Sequence, residues 1–343
     1  MQQLDLGEAL VVIYDPMRGN MLTTRSILHG MGFRNIEGYT SFENLVRRLK
    51  NNDTAILFIE GSDNTDQVVE LLQSIRMGST KCNPFLPIVA TLWVGNSDIV
   101  ANLLNAGCDD VLLRPFSVSK TQERVRAIIE NRKRFVVTSD YVGPDRGKPK
   151  TGRYSVEAFE VPNPLKIVVY GGSSDPVKQL EELENAKKRV NKERLAKLAR
   201  RIAIAAEVTL QSYKDFNKNN GFVLDLLETT YELVRTAKRM DNEEINDMAV
   251  VLENIASKTA SGTNTVENAN LTRQLALAIF VAYASDDGEI FKKDLEATLS
   301  SVRNRLNKAR DRDDKIKNLV VNPENLNFSN NNDDDDAMKY LSS

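Results

Sequence analysis

The stretch Val111-Leu112-Leu113-Arg114-Pro115-Phe116 decides the fold. Three apolar residues make a short buried strand, and a proline after Arg114 stops the extended run. Before it, Asn105-Ala106-Gly107-Cys108-Asp109-Asp110 places small residues and a glycine where a helix would end. Working back, Ile99, Val100, Leu103 and Leu104 mark that helix, and Pro87-Ile88-Val89-Ala90-Thr91-Leu92 is an apolar run of strand length. Val68, Val69, Leu71, Leu72 and Ile75 give an earlier helix, and Ala55-Ile56-Leu57-Phe58-Ile59 runs into Glu60. Ser41 can cap a helix carrying Leu45, Val46 and Leu49, behind a weaker strand from Asn35 to Tyr39. Met21, Ile27, Leu28 and Met31 recur at helical spacing, and Ala9-Leu10-Val11-Val12-Ile13-Tyr14 ends at Asp15-Pro16. Forward of the opening stretch, a helix starts at Ser117 and bears Val125, Ile128 and Ile129. Strand and helix alternate through five units, which predicts a doubly wound parallel sheet with its site at the C-terminal strand ends.

From Ala106 to Phe116 the chain resembles the "AGADDYLxKPF" stretch of response-regulator receiver domains. The run from Asp15 through Arg18 to Gly32-Phe33-Arg34-Asn35-Ile36 is also similar to a receiver subgroup with "DxxRxMR…LGFxxI". Gly143-Pro144-Asp145-Arg146 resembles the "GPDRR" segment that follows such receivers in alphaproteobacterial proteins, with Gly147 in place of the second Arg. The resemblance implies a (βα)5 flavodoxin-like receiver over residues 1-134. In that family the Lys before Pro reaches a phosphorylated Asp, and the Lys-Pro bond is usually cis.

Receiver chemistry needs clustered carboxylates, one to accept the phosphoryl group and others to hold Mg²⁺. Carried over position by position, the acid pair closing the first strand is Tyr14-Asp15, so one magnesium ligand remains. The phosphoacceptor-equivalent position is Glu60, a carboxylate one methylene longer. The Ser/Thr position, counted back from Arg114, falls on Leu92; an alternating strand would turn Thr91 to the other side. The Lys position is Arg114, which still precedes Pro115 and can hold a carboxylate bidentately. Asp15 alone keeps the family identity, and four departures on a kept scaffold predict a pseudo-receiver. Contact between Glu60 and Arg114 is expected, as an ordinary ion pair or as a mimic of the phosphorylated state. Were the chemistry retained, Asp15 and Glu60 would bind Mg²⁺; otherwise no cofactor is expected. Trp93 follows Leu92 where a loop over the site would begin, and packing is its favoured role.

Residues 135-187 change in composition and are expected to be a linker. Within it, Leu165 to Tyr170 suggests a short extended stretch, and Gly171-Gly172-Ser173-Ser174 a turn. Residues 188-312 read as an all-α bundle of about five helices, with Asn268 to Ala284 the buried one and Leu295, Leu299, Val302 and Leu306 on a last charged helix. Asp241 is a candidate cap. Asp286-Asp287-Gly288 lacks the offsets of a calcium loop. Residues 313-343, with Asp333 to Asp336, read as a disordered acidic tail.

A net charge of -2 in 343 residues offers no basic field for nucleic acid, and no basic recognition helix is evident. No apolar run is long enough to span a bilayer, and the first residues lack a signal-peptide pattern. Cys82 and Cys108 build neither disulfide framework nor zinc site, so a cytoplasmic protein is expected. His29 is the one histidine, which rules out a phosphorelay histidine in the helical half. The expected function is non-enzymatic and regulatory: a pseudo-receiver that engages other signalling proteins through its α4-β5-α5 face, with the helical region as output or self-association module. The alternatives are a working phosphoacceptor using Mg²⁺ through an atypical site, and a scaffold that assembles through its helical half.

Overall fold

A computed structural model of the chain describes residues 5–93, 95–147, 157–171, 175–212, 220–240, 242–262 and 265–283, with residues 297 and 300 singly. Residues 286–288, the Asp241 cap, the 313–343 tail and, apart from residues 297 and 300, the expected last helix at 295–306 lie outside the described residues.

Five parallel strands form one sheet: β1 (Val11–Tyr14), β2 (Ile36–Tyr39), β3 (Ile56–Glu60), β4 (Ile88–Leu92) and β5 (Asp110–Leu113). Their order is β2-β1-β3-β4-β5. This is the flavodoxin-like arrangement, and it covers the part of the chain that resembles receivers. The central strands β1, β3 and β4 are buried along their whole length, which is why they read as unbroken apolar runs. Alternation splits the core in two. Val11, Ile13, Ile56, Phe58, Val89 and Leu112 face one side with Leu28 and Val125. Val12, Tyr14, Leu57, Ile59, Ala90 and Leu92 face the other with Leu45, Leu72 and Leu103.

Helices α1 (Arg18–Met31), α2 (Phe42–Leu49), α3 (Thr65–Arg76), α4 (Ser97–Asn105) and α5 (Val118–Glu130) connect or follow the strands. Ser41 caps α2 by accepting from the Asn44 amide at 3.4 Å, and Ser117 caps α5 through the Lys120 amide at 3.2 Å. Helix α1 ends on Gly32 at φ 114°, a left-handed position open to glycine.

The segment read as a linker is folded where it is described. Strands β6 (Phe135–Val137) and β7 (Val142–Pro144) pair as an antiparallel hairpin, and Phe159 bridges to Phe135. Leu165 to Tyr170 is not extended: α6 (Pro164–Val169) is a helix, with Asn163 accepting from the Lys166 amide at 3.3 Å. Asn before Pro is the N-cap and first-turn pair that starts a helix, and this outweighs the β-branched residues behind it. Leu165 and Val169 join the α1–α5 side of the core. Gly171 takes φ 64° at the helix end, and residues 172–174 lie outside the described residues.

Helix α7 (Pro176–Ser212) begins inside the expected linker and runs for 37 residues. With α8 (Asn220–Ala237), α9 (Glu243–Ala260) and α10 (Thr265–Tyr283) it makes four bundle helices among the described residues. Asn242 caps α9 through the Ile245 amide at 3.2 Å. Leu195, Ile202, Leu226, Leu233, Leu252 and Ile279 fill the bundle core. Helix α10 is partly rather than wholly buried: Ala276 and Ile279 are enclosed, while Val266, Leu271 and Val281 are exposed. No helix of the described residues is long and apolar enough to cross a membrane.

Candidate functional site

Asp15, Glu60 and Thr91 reach the C-terminal edge of the sheet on one face. Each lies an even number of residues from Ile13, Phe58 and Val89, which face α1 and α5. Glu60 is also in register with Thr91. Arg114 directly follows β5, is joined to Pro115 by a cis bond, and reaches back over this edge. Its Nη2 donates to Asp15 Oδ2 at 2.8 Å, to Thr24 Oγ1 at 3.1 Å and to Thr91 Oγ1 at 3.3 Å. The Arg114 side chain is 5% exposed and that of Asp15 is 0% exposed, so the pair is sealed from water.

The expected Glu60–Arg114 ion pair is absent among the described residues. Glu60 Oε1 accepts from the Ser62 amide at 2.7 Å, and Oε2 from the Asp63 amide at 3.3 Å. Its longer side chain folds back to close the β3–α3 loop. The Leu92 assignment is also corrected. Strand alternation does put Thr91 and Leu92 on opposite faces, but the site lies on Thr91's face. Leu92 is buried beside Leu103 in the other half of the core. Registering β4 against Glu60, rather than counting back from Arg114, would have found Thr91. Thr24, one turn and a half into α1, leaves no comparable mark in the sequence.

Tyr14 occupies the place of the missing acid and turns away from Arg114, packing edge-on to Phe42 at 5.5 Å between ring centroids. Burial raises its hydroxyl pKa, opposed by a hydrogen bond with Asn64. Burial also raises the Asp15 carboxyl, against the Met17 amide and the Arg114 cation, which hold it down. Burial pulls the Arg114 guanidinium down, with Asp15 and then Glu60 opposing. Trp93 covers the outer side: its ring lies 5.5 Å from the Arg114 guanidinium, and Phe116 lies 5.1 Å away. The Trp93 amide donates to Ser62 Oγ at 3.0 Å, which ties the two loops above the sheet together. Trp93 is 50% exposed, so it is a lid on the guanidinium rather than a core residue.

The residues present fit Mg²⁺ poorly. One oxygen of Asp15 takes the Met17 amide and the other takes Arg114; both oxygens of Glu60 take loop amides. A cation already stands on the one kept acid. Among the described residues, no three His, Cys, Asp or Glu side chains group so as to hold a metal.

A second polar cluster, which sequence reading missed, lies at the opposite end of β5. Asp109 accepts from Arg76 Nη2 at 2.9 Å, from Arg132 Nε at 2.7 Å and from the Ile88 amide at 2.8 Å. Arg76 also donates to the carbonyls of Gly107, Pro84 and Leu86. Both guanidiniums lie over the Phe135 ring, at 5.3 and 5.0 Å. Arg146 of the Gly-Pro-Asp-Arg segment donates to the carbonyls of Cys108 and Asp109. The hairpin is thereby fixed under the sheet, and Phe85, Phe135, Phe159 and Val190 carry the contact on to α7.

No family model matches the chain, and no curated protein matches it. Solved structures do. A response regulator from Thermotoga maritima is 22% identical over 36% of this chain and 99% of its own, with a TM-score of 0.32. A two-component response regulator from Clostridium difficile is 23% identical over 36% of this chain and 98% of its own, with a TM-score of 0.32. The receiver domain of a sensor histidine kinase from Pseudomonas aeruginosa, with a magnesium ion coordinated in its active-site cleft, is 17% identical over 34% of this chain and 95% of its own, with a TM-score of 0.31.

Proposed function

We propose that the chain is a non-enzymatic signalling protein of the response-regulator type, whose receiver is held in one state by its own side chains. The observation behind this reading is the 2.8 Å ion pair between Arg114 and Asp15. A magnesium ion would have to displace the guanidinium and leave it buried without its counter-charge, which costs several kcal/mol. Both carboxylate oxygens of Glu60 are turned onto loop amides rather than toward Arg114. Arg114, Trp93 and Phe116 are stacked in place, so the end of β5 and the start of α5 have one fixed arrangement. In this reading the α4-β5-α5 face docks other signalling proteins without a phosphorylation step, and the bundle is the output or self-association module.

The test is the intact mass of the full chain after incubation with Mg²⁺ and acetyl phosphate, beside an ordinary receiver. The expected result is no phosphoryl adduct, and no change with Mg²⁺ in the fluorescence of Trp93, the chain's one tryptophan. Arg114→Met should shift that fluorescence and make it respond to Mg²⁺. A wild-type adduct that disappears in Asp15→Ala or Glu60→Gln would overturn the reading and make this a working switch.

A further inference from the structure

A cavity of about 520 Å³ opens between the receiver and the bundle, far from the Asp15 edge. One wall is the loop from α3 to β4, with Met77, Gly78, Lys81 and Pro84; the other is α7 and the end of α8, with Lys187, Lys188, Val190 and Arg239. Its charge is one-sided. Lys81, Lys187, Lys188 and Arg239 line it against the single carboxylate of Glu184, which pairs with Lys187 at 2.8 Å. Lys81, Lys188 and Arg239 have no ion-pair partner among the described residues. Arg76 lines it too and shares Asp109 with Arg132, so that cluster adds a further positive charge.

Arg239 is the most informative member. Its Nη2 donates to Thr236 Oγ1 at 3.1 Å, but its Nε is buried and meets no acceptor. That Nε is sealed from the cavity, so a ligand would meet the Nη donors that Thr236 leaves free. Burial, with Arg194 adding to it, pushes the guanidinium down to about 10. It remains charged at neutral pH; Glu232 opposes the shift, but no carboxylate forms an ion pair with it among the described residues. Gly78, at φ 68°, brings the receiver loop against this side chain: a Cβ there would lie 3.8 Å from Arg239 Cδ.

The geometry points to this cavity as a binding site for a small organic phosphate, with the phosphate on Arg239, Lys188 and Lys81 and the apolar body along Met77, Pro84 and Val190. The volume lies within the range of small-molecule sites, and a lining that mixes apolar residues with several cations suits such a ligand. Because one wall is receiver and the other is bundle, the ligand bridges the two and stabilises their present arrangement. None of these residues belongs to the Asp15 edge, so the site stands or falls independently of the pseudo-receiver reading.

Calorimetric titration of the full chain with ADP, inorganic pyrophosphate and adenosine tests this. Expected are binding of ADP and weaker binding of pyrophosphate, both weakened by added salt, and no binding of adenosine. Arg239→Gln should weaken ADP at least about tenfold, the loss of one charge-assisted partner. Lys81→Gln, on an exposed loop residue that folding does not need, should weaken it several-fold. Silence from ADP and pyrophosphate up to about 5 mM overturns the proposal. So does adenosine binding as well as ADP, or ADP affinity unchanged in both variants.

Discussion

Replacing Asp109 by Asn removes one charge and leaves the shape. The side chain is 4% exposed, while those of Arg76 and Arg132 are 1% and 7% exposed. The carboxylate accepts from Arg76 at 2.9 Å, from Arg132 at 2.7 and 3.1 Å, and from the Ile88 amide at 2.8 Å. Asn keeps one acceptor oxygen and turns an NH₂ toward donors. Two buried guanidiniums then share no counter-charge, and breaking a buried pair in this way costs about 3–5 kcal/mol. With a urea slope of about 2 kcal/mol/M, the midpoint for the receiver half should fall by roughly 2 M. Glu43→Gln is the control, since its partner Arg47 is exposed, and it should change little. The pH dependence follows from the same contacts. Burial pushes the Asp109 carboxyl up, but Arg132, Arg76 and the Ile88 amide together bring it below its ordinary value. An acid depressed in the folded state contributes fully above its unfolded pKa of about 3.9 and loses that contribution as pH falls toward the folded value. The gap between wild type and Asp109→Asn should therefore narrow below about pH 4. A midpoint shift no larger than that of Glu43→Gln would refute the reasoning.

Gly107→Ala should lower the melting temperature of the full chain. The residue sits at φ 95°, and a Cβ would come within 2.8 Å of Arg76 Cγ and 3.0 Å of the Val142 carbonyl. The cost is about 1–3 kcal/mol before any shift of the hairpin, and an unchanged melt would sink the account. Burial pushes the Cys82 thiol up to about 11 and the Cys108 thiol up to about 12. A thiol-disulfide reagent at pH 8 should therefore find no reactive thiol in the native chain and two after denaturation; prompt native labelling of either would contradict their burial.

The sheet was legible because burial on both faces leaves apolar runs that no helix of that length would carry. The strand-end positions were legible too, since Asp15, Glu60 and Arg114 each close such a run. What they touch was not. The Glu60 carboxylate had two claimants, a distant guanidinium and its own loop amides, and sequence spacing does not rank them. Thr91 was misplaced by counting from one strand when register with another decides the face. The folded linker escaped for a different reason. Its residues are held by carbonyls of Cys108 and Asp109 and by the ring of Phe85, contacts to distant segments that leave no local pattern in residues 135-187. Asn163-Pro164 is the local signal for α6, and the β-branched run behind it points the other way.

Helix α7 belongs to two cores at once, through Val190 beneath the receiver and through Leu195 to Ala206 in the bundle. At about 1.5 Å per residue, its 37 residues span roughly 55 Å. Such a rod is a lever with its short arm under the hairpin. From Val190, where it meets the hairpin, about 22 residues or roughly 33 Å of it remain, so a tilt of about 5° there would carry the far end through roughly 3 Å. Small rearrangements around Arg146 and Phe135 would thus arrive in the bundle as an ångström-scale shift at the far end of α7.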